Sequence, residues 1–99
     1  MLDDRHLIVL PGFAAGRLDQ AIPLYERTLA DAERVLGADR PDTLGSRNNL
    51  AYAYQAAGRL DQAIPLYERT LADRERVLGA DHPDTLTSRN NLERARIEG

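Results

Sequence analysis

The sequence predicts an all-α protein, an α-solenoid of antiparallel helix pairs, and two observations carry this prediction. First, residues 16–50 recur 42 positions later as residues 58–92, and the two segments differ only at Ala32/Arg74, Arg40/His82 and Gly45/Thr87. A fixed period of about 20 to 50 residues is typical of stacked repeats. Second, apolar residues recur at helical spacing within each copy, with Gly-marked or Gly/Pro-marked links between the periodic stretches.

The repeat divides the chain into three segments. Residues 16–57 and 58–99 are each predicted to hold a long helix, a connector and a shorter helix. Residues 1–15 are interpreted as a degenerate partial repeat, a damaged copy of the shorter helix, because Pro11 and Gly12 would interrupt a helix running into Leu10. For the first five residues a disordered leader is an equally good interpretation.

The long helices are predicted over residues 18–36 and 60–78. In the second copy charged residues lie on the other faces of the helix, and the apolar residues at helical spacing are Leu60, Ala63, Ile64, Tyr67, Leu71, Val77 and Leu78. Gly58 before this helix and Gly79 after it allow turn conformations that other residues resist. Because Pro65, like Pro23 in the first copy, falls inside the helix, we expect a kink or a local 3₁₀ turn there.

The shorter helices are predicted over residues 42–57 and 84–98, with Pro41 and Pro83 as suitable first helical residues. The earlier helix has a packing face and a polar-aromatic face, formed respectively by Leu50, Ala53, Tyr54, Ala57 and by Asn48, Tyr52, Gln55. After Leu92 the later helix exchanges tyrosines and alanines for charges, which indicates a solvated terminal helix.

Composition narrows the function classes. The chain has 99 residues, of which 42% are apolar and 29% charged, with a net charge of −3 and no cysteine. Acidic and basic residues are interspersed, whereas a protein that binds nucleic acid usually carries a basic stripe. This pattern argues against a nucleic-acid partner. No apolar run reaches the roughly 20 residues that cross a bilayer, and the first residues are unlike a signal peptide. We therefore expect a soluble, cytoplasmic protein with no nucleic-acid or membrane partner.

The residues that could carry catalysis do not form a pattern. His6 lies in the leading segment and His82 in a connector where the other copy has Arg40, so neither indicates a metal or catalytic site. No glycine-rich phosphate loop follows a strand. Helical carboxylates such as Asp31 and Glu75 indicate surface ion pairs rather than an acid–base pair. We expect no enzyme, no cofactor and no bound metal.

Residues 48–71, NNLAYAYQAAGRLDQAIPLYERTL, resemble the tetratricopeptide repeat. The packing positions of that repeat are matched by Leu50, Ala51, Tyr54, Gly58, Ala63 and Tyr67. The period of 42 replaces the usual period of about 34. This 42-residue variant of the repeat is similar to the repeats of kinesin light chains and of bacterial arrays. Many of those bacterial arrays follow a STAND/NB-ARC nucleotide-binding module. The likeness extends over residues 16–92, and no Walker-type loop of such a module is present.

The resemblance implies a protein–protein interaction scaffold. In such arrays the shorter helices, called A helices, line a concave groove that holds a peptide or a partner segment. The groove face of this chain is then formed by Gly45, Asn48, Tyr52, Gln55 and Ala56 of the first A helix and by Thr87, Asn90, Arg94 and Ile97 of the second. His6 stands where the partial copy should carry the groove asparagine.

The side-chain chemistry agrees with this site. The amides of Asn48 and Asn90 can pair with a peptide backbone whatever its sequence. Carboxylate recognition would come from Arg47, Arg89 and Arg94. Other interpretations stay open: Asn48 caps or bridges neighbouring helices, Tyr52 is buried against the next helix, and the arginines are solvated surface charges.

The number of repeats bears on assembly. About three repeats are generally needed for stability, and this chain has fewer than two and a half helix pairs. We therefore expect a homo-oligomer, formed by end-to-end stacking or by exchange of a terminal helix, most simply a two-fold dimer. The alternative to a peptide-binding module is a structural fragment, or a recently amplified or designed array, that mainly self-associates. The sequence leaves the partner and the parent protein open.

Overall fold

The computed structural model describes the backbone of residues 11–98 and the side chains of residues 17–98. This part of the chain forms four α-helices: α1 (Pro11–Leu36), α2 (Pro41–Ala56), α3 (Leu60–Leu78) and α4 (Pro83–Glu98). Each helix packs against the next one along the chain. The predicted all-α solenoid is confirmed, and α2 and α4 are its A helices.

The helix boundaries follow the predicted turn chemistry. Gly37, Gly58 and Gly79 all have positive φ, between 80° and 96°, in the three links. Such a conformation is nearly free for glycine and strained for other residues. Pro41 and Pro83 are the first residues of α2 and α4, where the missing N–H costs nothing. These predictions are confirmed.

The start of α1 differs from the prediction. This helix begins at Pro11 and continues through Gly16, although Gly58, the same residue in the next copy, lies in a turn. Within the described residues Pro11 therefore lies in the first turn of a helix, where its fixed φ is tolerated. Gly16 inside a helix carries a cost of about 1 kcal/mol. The assignment of residues 1–15 to a degenerate partial repeat stays a prediction, because residues 1–10 lie outside the described residues.

The internal prolines do not break their helices. Pro23 and Pro65 are both exposed and lie within continuous α-helix, so the expected local 3₁₀ turn is not found. Pro65 lies in the second turn of α3 and withholds an N–H from the carbonyl of Asp61. Asp61 is exposed as well, so water can satisfy that carbonyl.

The core runs through all four helices. It contains Ile22 and Leu29 of α1, Leu50, Ala51, Ala53 and Tyr54 of α2, Ala63 and Tyr67 of α3, and Leu92 and Ala95 of α4. The predicted packing face of α2 is thus buried at Leu50, Ala53 and Tyr54. Small residues at positions 51, 53 and 63 let neighbouring helices approach closely, as ridge-and-groove packing requires.

Candidate interaction surface

The groove face lies on the accessible side of α2 and α4 for most of its members. Tyr52, Asn90, Arg94 and Ile97 are exposed, whereas Asn48 and Gln55 are half-buried. Tyr52 and Arg94 both act electrostatically on the hydroxyl of Tyr67. The two A helices therefore present an exposed phenol and an exposed guanidinium on the groove face.

Asn48 is engaged within the protein. The amide Nδ2 of Asn91 donates a hydrogen bond to Oδ1 of Asn48 across 3.1 Å, joining α4 to α2. Asn48 therefore bridges neighbouring helices through its amide oxygen, while its amide N–H groups take no part in this bond. Asn90, its counterpart in the other copy, is exposed.

Gln55 is held by a tyrosine of the core. The hydroxyl of Tyr67 donates to Oε1 of Gln55 across 2.6 Å. Burial raises the pKa of Tyr67 to about 12, with Tyr52 adding to the increase and Arg94 opposing it. The phenol therefore stays protonated near neutral pH and orients the Gln55 amide. Helical periodicity assigned Tyr67 only to packing, and its sequence offered no signal of this second role.

Arg47 does not belong to the exposed surface. Its side chain is fully buried, with Nη1 at 2.6 Å from Oδ2 of Asp73 and Nη2 at 3.6 Å from Oε2 of Glu33. The predictions of a surface charge and of a partner-binding arginine are therefore wrong for this residue. A buried guanidinium needs paired carboxylates, and this chain supplies both.

The equivalent arginine of the next copy is only partly covered. Arg89 is half-buried and donates through Nη2 to Oε2 of Glu75 at 3.0 Å. Glu75 corresponds to Glu33, so one half of the Arg47 arrangement recurs at Arg89. No helix of the described residues supplies Arg89 with a counterpart of Asp73.

A second ion pair crosses between the repeats. Arg76 of α3 binds the carboxylate of Asp39 in a bidentate manner, at 2.7 and 3.1 Å, and also donates to Asp73 at 3.3 Å. The hydrogen bond from Arg76 lowers the pKa of Asp39. Helical spacing gives no sign of this pair, because its partners lie 37 residues apart in the sequence.

Two of the three differences between the copies act in the last helix pair. Arg74, in place of Ala32, is buried and donates to Oγ of Ser88 at 2.8 Å and to the carbonyl of Asp84 at 3.3 Å. Burial lowers its pKa, and Asp84 partly opposes that change. His82, in place of Arg40, accepts a hydrogen bond at Nδ1 from the backbone N–H of Asp84, which caps the start of α4.

The described side chains offer recognition chemistry. They contain no group of three or more His, Cys, Asp or Glu residues that could hold a metal ion. Among the described helices none is long and apolar enough to span a membrane. The groove face instead presents amides, a phenol and Arg94, groups that hydrogen-bond to peptides and pair with carboxylates.

Comparison with known proteins gives a consistent result. The family model described as tetratricopeptide repeat matches residues 13–42 and 43–84. A crystal structure of nearly identical TPR-like repeats, from a Podosopora anserina protein assigned as a kinesin light chain, superposes with a TM-score of 0.79 at 34% identity. The match covers 84% of this chain and 39% of that chain. No curated protein matches significantly.

Proposed function

Because the chain belongs to the tetratricopeptide repeat family, whose repeats are generally protein–protein interaction modules on a non-catalytic scaffold, we propose that it binds an extended peptide or partner segment along its groove face. The observation that carries this proposal is that Tyr52 of α2 and Arg94 of α4, from different A helices, are both exposed on the groove face. Exposed aromatic and arginine side chains are the residues most enriched in binding hot spots.

Each proposed contact has its own chemistry. The ring of Tyr52 offers apolar area with a polar tip, so a partner's apolar side chain can pack against it. Asn90 and the free donors of Asn48 face backbone carbonyls of the bound segment. Gln55, oriented by Tyr67, supplies its remaining amide donors. Arg47 is left out because it is buried.

The charged residues indicate which segment binds. Arg94 is exposed on α4, and the half-buried Arg89 lies five residues earlier on the same helix. Glu75 already compensates Arg89, so Arg94 carries the main electrostatic preference. We therefore propose a segment with an acidic side chain near Arg94, since guanidinium–carboxylate pairs add both energy and geometry.

An array of extended peptides, acidic and neutral, tests this proposal. Selected peptides are then titrated by fluorescence anisotropy against the native chain and against Asn48→Ala, Tyr52→Ala and Arg94→Ala. We expect losses of about tenfold for Tyr52→Ala and Arg94→Ala and a loss of acidic preference for Arg94→Ala. Arg69→Ala, an exposed position on α3, is the matched control. Absence of peptide binding, or equal affinity in all variants, overturns the proposal.

The structural alternative has its own supporting observation. Leu24 of α1 and Leu86 of α4 are large exposed apolar side chains, which favours a homo-oligomeric array that mainly self-associates. We also propose that the repeat units begin at residues 16 and 58. The chain is further proposed to belong to a bacterial, cytoplasmic protein and to follow a STAND/NB-ARC module. A pull-down with an isolated nucleotide-binding module would test the last of these.

A further inference from the structure

The junction between α2 and α3 shows how one repeat holds the next. Arg47 of the first repeat pairs with Asp73 of the second, and Asp39 of the first pairs with Arg76 of the second. The ion pairs thus run in opposite directions across the same boundary. Leu44, 1% exposed, lies one turn before Arg47 on the same helix.

The helix α1 repeats the sequence of α3 but not its burial. Leu66 is half-buried and Thr70 is fully buried in α3, whereas Leu24 and Thr28, their equivalents in α1, are exposed. The equivalents of Asp73 and Arg76 are also exposed and, among the described side chains, pair with each other at 3.3 Å. We call this surface the leading face; it consists of Leu24, Tyr25, Thr28, Asp31 and Arg34.

The helix α4 and its connector repeat the other side of the junction. Leu86 is 43% exposed where Leu44 is buried. Arg89 and Asp81 are the equivalents of Arg47 and Asp39, and neither is covered by a further helix. We call this surface the trailing face; it consists of Asp81, Leu86, Arg89, Glu93 and Ile97.

We propose that the trailing face of one copy binds the leading face of a second copy, in the geometry of the internal junction. Arg89 then pairs with Asp31 of the next copy, and Asp81 pairs with Arg34 of the next copy. Leu86 lies between Asp81 and Arg89 on the trailing face, so the next copy covers it between these pairs, as Leu44 is covered at the internal junction. This inference rests on the self-association proposed above and specifies its surfaces and direction.

Two residues of the trailing face differ from their equivalents in the first copy, and they have opposite effects on docking. Gln55 contacts Tyr67 at the internal junction, and its equivalent Ile97 is 84% exposed, so docking would bury an apolar side chain against Tyr25 of the next copy. Ala51 lies one turn from Arg47 and from Gln55 and is fully buried. Its equivalent Glu93 places a carboxylate at that position, which weakens docking because a desolvated charge is costly.

The direction of this contact excludes a closed two-fold dimer. The two faces are different surfaces, so the contact is heterologous, and each added copy leaves one leading and one trailing face unused. Species larger than dimers therefore form as the concentration rises. The two-fold dimer expected from the sequence is replaced by an open-ended arrangement.

Sedimentation velocity of the full chain at low ionic strength tests the proposal. We expect Asp31→Arg and Arg89→Asp each to weaken association about tenfold by placing like charges opposite each other. An equimolar mixture of the two variants restores association, because opposite charges face each other at every junction between unlike variants. We expect Glu93→Ala to strengthen association about tenfold. Arg69→Asp is the control, and circular dichroism verifies that each variant is folded.

The outcomes distinguish the head-to-tail geometry from self-association in general. Recovery in the mixture supports the proposal, as does a gain for Glu93→Ala with masses beyond a dimer. A closed dimer that is insensitive to both charge reversals overturns the head-to-tail geometry and leaves self-association standing. A monomer at every concentration, also for Glu93→Ala, overturns both.

Discussion

Asp73 accepts a hydrogen bond from Arg47 across 2.6 Å, and this contact joins two repeats at a site where the arginine is fully buried. Arg76 approaches the other oxygen of the same carboxylate. Within the described residues, Nε and Nη2 of Arg47 have no hydrogen-bond partner. The pair is therefore a costly arrangement that holds only while both charges are present.

Removing the carboxylate should destabilise the fold. We expect Asp73→Ala to lower the free energy of unfolding by about 3 kcal/mol, since it leaves a buried guanidinium without its nearest partner. Asp31→Ala is the matched control, because the equivalent residue in the first copy forms an exposed pair with Arg34. Removing an exposed pair should cost less than about 1 kcal/mol. Urea denaturation at low protein concentration measures both; equal losses would contradict the assigned role.

The two glycines of the repeated AAGRLDQ segment should respond oppositely to alanine. Gly58 has a φ of 80°, and a methyl group added there would meet no other atom within 4 Å, so Gly58→Ala costs about 1 kcal/mol through backbone strain alone. Gly16 lies inside α1, so Gly16→Ala should stabilise by about 1 kcal/mol. Thermal unfolding followed by circular dichroism compares them. Destabilisation by both variants would contradict the continuation of α1 through Gly16.

The starts of α2 and α4 differ in capping. Arg40 precedes α2 with extended dihedral angles and makes no side-chain cap hydrogen bond, whereas His82 accepts one from Asp84. We expect Arg40→Ser to raise the free energy of unfolding by about 1 kcal/mol and His82→Ser to leave it nearly unchanged. Chemical denaturation measures the difference. A stabilisation of equal size at both positions would show that His82 does not cap α4.

Stability should fall at alkaline pH as the buried tyrosines ionise. Burial raises the pKa of Tyr67 to about 12 from its usual 10.0, and burial also raises that of Tyr54 to about 12, with Glu26 contributing. The folded protein therefore holds these protons more tightly than the unfolded chain. Their contribution is complete below pH 10 and is lost as the pH rises toward 12.

Urea denaturation across this range measures the decline, with Tyr67→Phe as the test variant. The hydroxyl donor to Gln55 is then absent, so the decline between pH 10 and 12 should become shallower. Absorbance of the phenolate form gives a direct titration. An unchanged slope in the variant would show that Tyr67 ionises alike in both states.

Periodicity predicted the helices, the glycine turns and the first residues of α2 and α4 because these depend on local chemistry that the repeat copies faithfully. It could not predict the environment of Arg47, since a charged residue at a helical position is usually exposed. The burial of this arginine depends on Asp73 of the following repeat and on Glu33 of the preceding helix. That arrangement is visible only when the helices are packed.

The candidate site was predicted in part for the same reason. Tyr52 and Arg94 are exposed as expected for the groove face, but Asn48 is tied to Asn91. Spacing alone shows that an amide is present and cannot show whether a neighbouring amide already occupies it. Gly16 lies in a helix and Gly58 in a turn, although the AAGRLDQ segments around them are identical. Local sequence alone therefore could not predict this difference.

The crossed ion pairs between α2 and α3 bear on how such genes lengthen. A duplication that inserts one further 42-residue unit, wherever the unit starts, also inserts the acidic and basic residues that form these pairs. They lie at the right positions to pair with both neighbouring repeats. No compensating change elsewhere is required for the new boundary to form. An array lengthened in this way keeps the same ion pairs at every internal boundary.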